Sequence, residues 1–121
     1  MTTFDVEVVL KGRDFAVRQP VTIPYGAPDT WDEAAVYDVL VETLRAIDRV
    51  QNPDAPRDRA VVLTGFSWIV EPEADKVVIA IEIPMGAAVA GPFAIAQEKL
   101  DALITNVIRM ERQTATATRV H

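Results

Sequence analysis

Residues able to do chemistry are scarce in this sequence. The single histidine is His121, at the C-terminal end, and cysteine is absent. These counts exclude a Ser-His-Asp triad, a cysteine nucleophile and a metal site built from several histidines or thiolates. Glu71, Glu73 and Asp75 share one polar segment, but it lacks the glycine and the ligand number of a calcium loop. The sequence therefore predicts no catalytic set, no metal site and no cofactor, and an enzyme that uses only carboxylates or tyrosine is our third hypothesis.

A run of small residues at 85–92, MGAAVAGP, is the one stretch with the composition of an anion-binding loop. We interpret it as a loop that leads into a helix, because Pro92 suits the first turn of a helix. Backbone amides at a helix N-terminus can bind an anion. The run contains no lysine, serine or threonine, however, and a loop kept small for close packing is the favoured interpretation.

Two aromatic residues lie near the start of the first predicted helix. Tyr25 follows a strand and Trp31 lies in the first turn. If the chain brings this segment beside the run of small residues, Tyr25 and Trp31 would line a small-molecule pocket together with Gly86 and Gly91. Packing in the core is the common alternative for aromatic side chains. A small-molecule binding or sensing domain is therefore our second hypothesis.

The charge balance of the chain limits its partners. Its 121 residues include 18 acidic and 12 basic ones, for a net charge of −6. A negative protein has no general attraction for nucleic acid or for an anionic membrane surface. The sequence shows neither a secretory signal pattern nor an apolar stretch long enough to span a bilayer. We therefore predict a cytoplasmic protein that binds neither nucleic acid nor membrane.

The first half of the chain predicts a hairpin followed by a helix. Apolar residues alternate with polar ones over 4–10 and again over 15–23, the period of a strand with one buried face. Pro20 places the second strand at a sheet edge or at a bulge, because proline has no amide hydrogen to donate. The segment 30–33, Thr-Trp-Asp-Glu, has the form of a capping box. An apolar stripe then predicts a helix that ends at Asn52.

The second half predicts the same order of elements. Strands are expected over 60–70 and 77–83, with a polar turn between them. A helix is expected to begin near Pro92, since the apolar residues beyond it recur every three or four positions. The residues 113–121 are rich in threonine and show no period, so we predict a flexible tail.

A short repeated string connects the two halves. VTIPYGA at 21–27 and IEIPMGA at 81–87 share Ile-Pro-x-Gly-Ala at the same offset. Proline ends a strand and glycine allows the backbone to reverse, so the string suits an exit from a strand into a helix. An internal duplication, with half-repeats at about 4–52 and 60–112, would explain the match, and so would convergence on the same exit chemistry.

Two hairpin-helix units predict the fold. They form a four-stranded antiparallel sheet with both helices on one face, which is an α+β two-layer sandwich. We expect a single domain over 1–112, followed by the tail at 113–121. Strand order is left open by the sequence.

The uncovered face of this sheet is the predicted interaction surface. Val9, Val62, Val78 and Ala80 fall on that face and would form an apolar patch with acidic surroundings. Such patches often become oligomer interfaces. A non-catalytic homo-oligomeric assembly module is therefore our first hypothesis. Self-association is the expected partnership, with another protein or a small molecule as the alternative.

Overall fold

The fold consists of an antiparallel sheet and two long helices. A computed structural model describes residues 1–55 and 61–119, the segment 114–119 as backbone alone. The α+β class predicted from the sequence is confirmed. In chain order the elements are β1 (Thr2–Leu10), β2 (Val17–Ile23), a short 3-10 turn (Pro28–Thr30), α1 (Glu33–Gln51), β3 (Ser67–Glu73), β4 (Lys76–Ile83), β5 (Gly86–Phe93) and α2 (Gln97–Arg119).

Over the described residues the sheet has five strands, so the prediction of four is wrong. Its order is β2-β1-β5-β4-β3, and each neighbouring pair is antiparallel. The additional strand is β5, at the centre of the sheet, where the sequence predicted a loop. Ala88, Ala90 and Phe93 are buried in it, while Ala87 and Val89 are exposed. Alanine and glycine differ too little in hydropathy for this alternation to be visible in the sequence.

The two Ile-Pro-x-Gly-Ala strings have different places in the fold. The first leads from β2 toward α1, whereas the second forms the turn between β4 and β5, and α2 begins only at Gln97. Ile23 pairs with Thr2 and Gly86 pairs with Leu10, so the strings lie at opposite ends of β1. The described second half contains three strands against two in the first, and the duplication gains no support.

Proline residues lie in both outer strands of the described sheet. Pro20 is in β2 and Pro72 is in β3. An outer strand tolerates proline because one side of it makes no ladder hydrogen bonds, so the missing amide hydrogen leaves no partner unsatisfied. Of the two positions predicted from Pro20, a sheet edge or a bulge, the structure shows the edge.

Helix α1 begins one residue after Asp32, which is its N-cap. The Asp32 carboxylate accepts a hydrogen bond from the Ala35 amide at 3.0 Å. The predicted capping box at Thr30 is wrong, because the Thr30 hydroxyl donates instead to the Ala27 carbonyl oxygen at 2.6 Å. Asn52 caps the end of the helix, as predicted.

Both helices pack on one face of the sheet. Helix α1 lies over β1 and β2, α2 lies over β3, and the two helices contact each other. At the centre, the Phe93 ring makes edge-to-face contacts with Phe4 and Trp31, at centroid distances of 5.0 and 5.1 Å. The other large, fully buried side chains include Ile23, Leu40, Ile47, Ile79, Ile81, Leu100 and Ile104.

The backbone of α2 continues to Arg119 and so includes most of the segment for which the sequence predicted a tail. The flexibility of 113–121 stays a prediction, as does the domain boundary at residue 112. The only histidine, His121, lies outside the described residues.

Candidate functional site

The four residues predicted to line one pocket do not come together. Trp31 is 3% exposed inside the core, and its indole Nε1–H donates to the Gly26 carbonyl oxygen at 2.9 Å. Gly86 and Gly91 lie at the two ends of the β1–β5 ladder. Tyr25 follows β2 and lines a groove between the helices. Binding by these four residues as one set is therefore not supported by their placement.

The backbone explains why glycine occupies positions 86 and 91. A Cβ atom on Gly86 would lie 2.4 Å from the Val9 carbonyl oxygen. Gly91 has a φ of +124°, a conformation that other residues rarely adopt. Close packing and backbone conformation account for these glycines without a ligand.

The groove that contains Tyr25 lies between α1 and α2, and we call it the helix groove. Its volume is about 400 Å³, and it is open to solvent. The residues contributed by α1 form two adjacent pairs, 33–34 and 37–38, which are four positions apart and therefore share one side of that helix. The lining residues are Tyr25 after β2, Glu33, Ala34, Tyr37 and Asp38 from α1, and Val107, Met110 and Glu111 from α2.

Apolar side chains and two tyrosine rings form the walls of the helix groove. Val107 is buried, and Tyr25 is half-buried. Tyr37 and Met110 keep 38% and 55% of their surface exposed. A molecule in the groove would therefore meet an aromatic ring and a thioether that are both accessible from solvent.

Three half-buried carboxylates give the helix groove its charge. They belong to Glu33, Asp38 and Glu111, and none of the described lining residues is basic. The ion pairs among the described residues involve Arg18 and Arg45, whose carboxylate partners lie elsewhere. A concave site with three carboxylates and no basic side chain concentrates a negative potential.

Hydrogen bonds hold two of the three carboxylates in place. The Tyr25 hydroxyl donates to the Asp38 carboxylate, and this bond is the main cause that raises the pKa of Tyr25 above its ordinary value. The Asn106 side-chain amide donates to Glu33 Oε2 at 3.1 Å. These bonds connect α1 to the segment after β2 and to α2, so the groove has a defined shape before any ligand enters.

The second candidate surface is the face of the sheet opposite the helices, which we call the open face. On β1 and β2 it is polar, and its groups pair with one another. Arg18 donates to Glu7 at 2.7 Å and lies 4.0 Å from Asp5. The hydroxyls of Thr3 and Thr22 are hydrogen-bonded at 2.8 Å.

On β3, β4 and β5 the open face carries one row of aliphatic residues, with the exposed acidic residues Glu71 and Glu82 on either side of it. Val89 lies opposite Ala80, and Ala80 lies opposite Ile69, so the three form a row across β5, β4 and β3. Ile69 is 54% exposed, and Val89 and Val9 are each 41% exposed. On β1 the residue opposite Val89 is Glu7, so the row ends there, and Val9 lies two positions further along β1, opposite Ala87 and diagonal to Val89. We call Val9, Ile69, Ala80 and Val89 the aliphatic stripe.

Two residues that the sequence placed on this face add no exposed surface to it. Val78 is only 7% exposed, so it offers almost no surface to a partner. Val62 precedes β3 and is 70% exposed, outside the sheet. Val9 and Ala80 lie where they were predicted to lie, on the open face.

Several candidate residues were missed by the sequence analysis. Ile69 alternates with Trp68 and Val70, so the period of two contained the signal for its place on the open face. Val89 was missed because the sequence predicts a loop where β5 lies. Glu111 was missed because its neighbours in the helix groove come from distant segments, and no local pattern reports that proximity.

No family model, curated protein or solved structure matched this chain. Among the described residues, none of the helices is long and apolar enough to cross a membrane. In the same part of the chain, no three histidine, aspartate or glutamate side chains are grouped closely enough to hold a metal ion. The functional hypotheses therefore depend on two surfaces, the helix groove and the aliphatic stripe.

Proposed function

We propose that this protein is a non-catalytic module that self-associates through the aliphatic stripe. The observation that carries the proposal is the continuity of the stripe, because Ile69, Ala80 and Val89 lie side by side on adjacent strands. Both helices of the described chain lie on the other face of the sheet. Exposed apolar patches of this kind are typical of interaction surfaces. A second copy offers an identical stripe, and two sheets can pack face to face.

The polar part of the open face favours a contact that leaves it in solvent. Arg18 and Glu7 already form an ion pair within one copy, and the hydroxyls of Thr3 and Thr22 already bond to each other. A second copy is not needed to satisfy these groups, and burying them would add a desolvation cost. The favourable contact is therefore centred on β3, β4 and β5.

The size of the stripe sets the expected strength of association. Burying the exposed part of each isoleucine or valine contributes about 1 kcal/mol. Association costs at least about 4 kcal/mol in lost translational and rotational freedom. The six isoleucine and valine side chains of two copies contribute about 6 kcal/mol, which exceeds that cost by about 2 kcal/mol, so we expect a weak dimer with a dissociation constant on the order of 10 mM.

Static light scattering on samples at millimolar concentration, without chromatographic dilution, tests the proposal. The wild-type mass should rise from 13.3 kDa toward twice that value as the concentration increases. Ile69→Lys should stay monomeric, because the charge would be buried in the interface. Val62→Lys is the matched control, since Val62 is an exposed aliphatic residue outside the sheet. Circular dichroism should show both variants folded.

Two outcomes would refute the proposal. One is a wild-type protein whose average mass stays at 13.3 kDa at about 5 mM, where the estimated affinity requires a measurable fraction of dimer. The other is an equal loss of association in Ile69→Lys and Val62→Lys, which would show that added charge, rather than the stripe, controls the mass.

A further inference from the structure

We propose that the helix groove binds a small organic ammonium ion, a ligand with one cationic group and an apolar body. This inference is independent of self-association, because the groove and the aliphatic stripe lie on different surfaces of the protein. It rests on three properties of the groove: the negative charge of its three carboxylates, its aromatic and aliphatic walls, and its size.

The charge of the groove selects a cation. Glu33, Asp38 and Glu111 line it, and no described residue forms an ion pair with any of them. The carboxylates are half-buried, so their interaction with a cation is screened less than it would be at an exposed site. An anionic ligand would instead be repelled by all three groups.

The spacing of the carboxylates disfavours a bare metal ion. Calcium needs six to eight oxygen ligands around one point. The described acidic side chains of the groove are not grouped closely enough to hold a metal ion. Much of the remaining lining is apolar, with Ala34, Val107 and Met110 among the eight residues. Three separated carboxylates around an apolar surface fit a larger cation that carries hydrocarbon.

The tyrosine rings and the size of the groove define the ligand further. The face of an aromatic ring attracts an ammonium group, and Tyr37 is accessible at 38% exposure. A volume of about 400 Å³ lies at the lower end of the range for small-molecule sites. An amine with a single ring or a short chain is therefore a better match than a large cofactor.

Nuclear magnetic resonance titrations with three related probes test the inference. Phenethylamine carries the ammonium group, 2-phenylethanol replaces it with a neutral hydroxyl, and 3-phenylpropionate replaces it with an anion. Phenethylamine should shift the amide signals of Ala34, Tyr37 and Val107 and saturate. It should bind about tenfold more tightly than the alcohol, and the anion should not bind.

A pair of variants with equal loss of charge controls for non-specific attraction. Glu111→Gln should weaken phenethylamine binding by roughly threefold or more and leave the binding of the alcohol unchanged. Glu73→Gln should have no effect, because Glu73 is an exposed residue of β3. Glu111→Gln should also keep the dimer mass of the wild type, and Ile69→Lys should keep amine binding.

Three results would overturn the inference. Equal binding of amine and alcohol would remove the role of charge. Equal weakening of phenethylamine binding in Glu111→Gln and Glu73→Gln would show that binding depends only on the net charge of the protein. Binding of Nα-acetyl-lysinamide at least tenfold more tightly than phenethylamine would assign the groove to a lysine side chain of a protein partner instead of a small amine.

Discussion

Gly86 packs against Val9 so closely that a Cβ atom on Gly86 would lie 2.4 Å from the Val9 carbonyl oxygen. Gly86 begins the central strand β5 and pairs with Leu10 in the β1–β5 ladder. A backbone oxygen cannot rotate away as a flexible side chain can, so an added methyl group would push the strands apart. Gly86 therefore sets how closely two central strands of the sheet approach each other.

The replacement Gly86→Ala should lower the free energy of unfolding by about 1 to 3 kcal/mol, because it overpacks the sheet. The matched control is Gly26→Ala, where an added Cβ atom would lie 3.6 Å from Thr30 Oγ1, an ordinary van der Waals contact. Urea denaturation measures both values. Equal changes in the two variants would show that the close contact with Val9 has no energetic consequence.

The cap of helix α1 can be tested in the same way. Asp32→Ala should cost about 1 kcal/mol, because the Ala35 amide loses its acceptor. Thr30→Ala should cost less, since the Thr30 hydroxyl bonds to the Ala27 carbonyl oxygen and caps no helix amide. A larger loss of stability in Thr30→Ala than in Asp32→Ala would contradict the assignment of the cap.

Aspartate substitutions distinguish the buried valine of the open face from the exposed stripe. Val78→Asp should lower the free energy of unfolding by about 3 kcal/mol or more, because it buries an unpaired carboxylate. Ile69→Asp should change it by less than about 1 kcal/mol, since Ile69 is 54% exposed. Thermal denaturation gives the comparison, and similar losses in both variants would place the two residues in equivalent surroundings.

The hydrogen bond between Tyr25 and Asp38 predicts a dependence on alkaline pH. It raises the pKa of Tyr25, so the folded protein holds the phenolic proton more tightly than the unfolded chain does. The stabilisation is therefore complete below the ordinary tyrosine value of about 10 and is lost as the pH rises through the raised value.

Asp38→Asn should move the titration of Tyr25 down toward that ordinary value, because the amide keeps an acceptor oxygen but carries no charge. Phenolate absorbance, recorded as the difference from Tyr25→Phe, isolates this one residue. An unchanged midpoint in Asp38→Asn would mean that the carboxylate does not hold the proton.

Salt should strengthen the proposed dimer. Each copy carries a net charge of −6, and screening weakens the repulsion between copies more than it affects apolar contact. The dimer mass measured by light scattering should increase between low and moderate salt. A dimer that dissociates as salt is added would instead be held by ion pairs and would exclude the aliphatic stripe as its main contact.

Features encoded by near neighbours were predicted well. The alternation in β1, the edge position of Pro20 and the end of α1 at Asn52 each depend on a few adjacent residues. The start of α1 was harder, because Thr30 and Asp32 are both good caps two positions apart. Trp31 lies between these two residues and is buried in the structure in which Asp32 is the cap. Whether Trp31 is buried depends on the rest of the core.

The central strand shows where local pattern fails. β5 contains mostly alanine and glycine, whose weak hydropathy predicts no period. It is a strand because β1 and β4 pair with it on its two sides, and both partners are far stronger strand sequences. The error about β5 then led to the wrong start of α2, to the wrong strand count and to an apparent repeat.

Composition and local periodicity were sufficient for the fold class, the net charge of −6 and the expectation that this sequence holds no site built on cysteine or on several histidines. The helix groove and the aliphatic stripe required the assembled fold. The groove joins Tyr25 to Glu111, and the stripe joins residues of four different strands. Which segments become neighbours is decided by the apolar burial and the backbone hydrogen bonds of the whole chain. The residues of one short segment do not determine that total free energy.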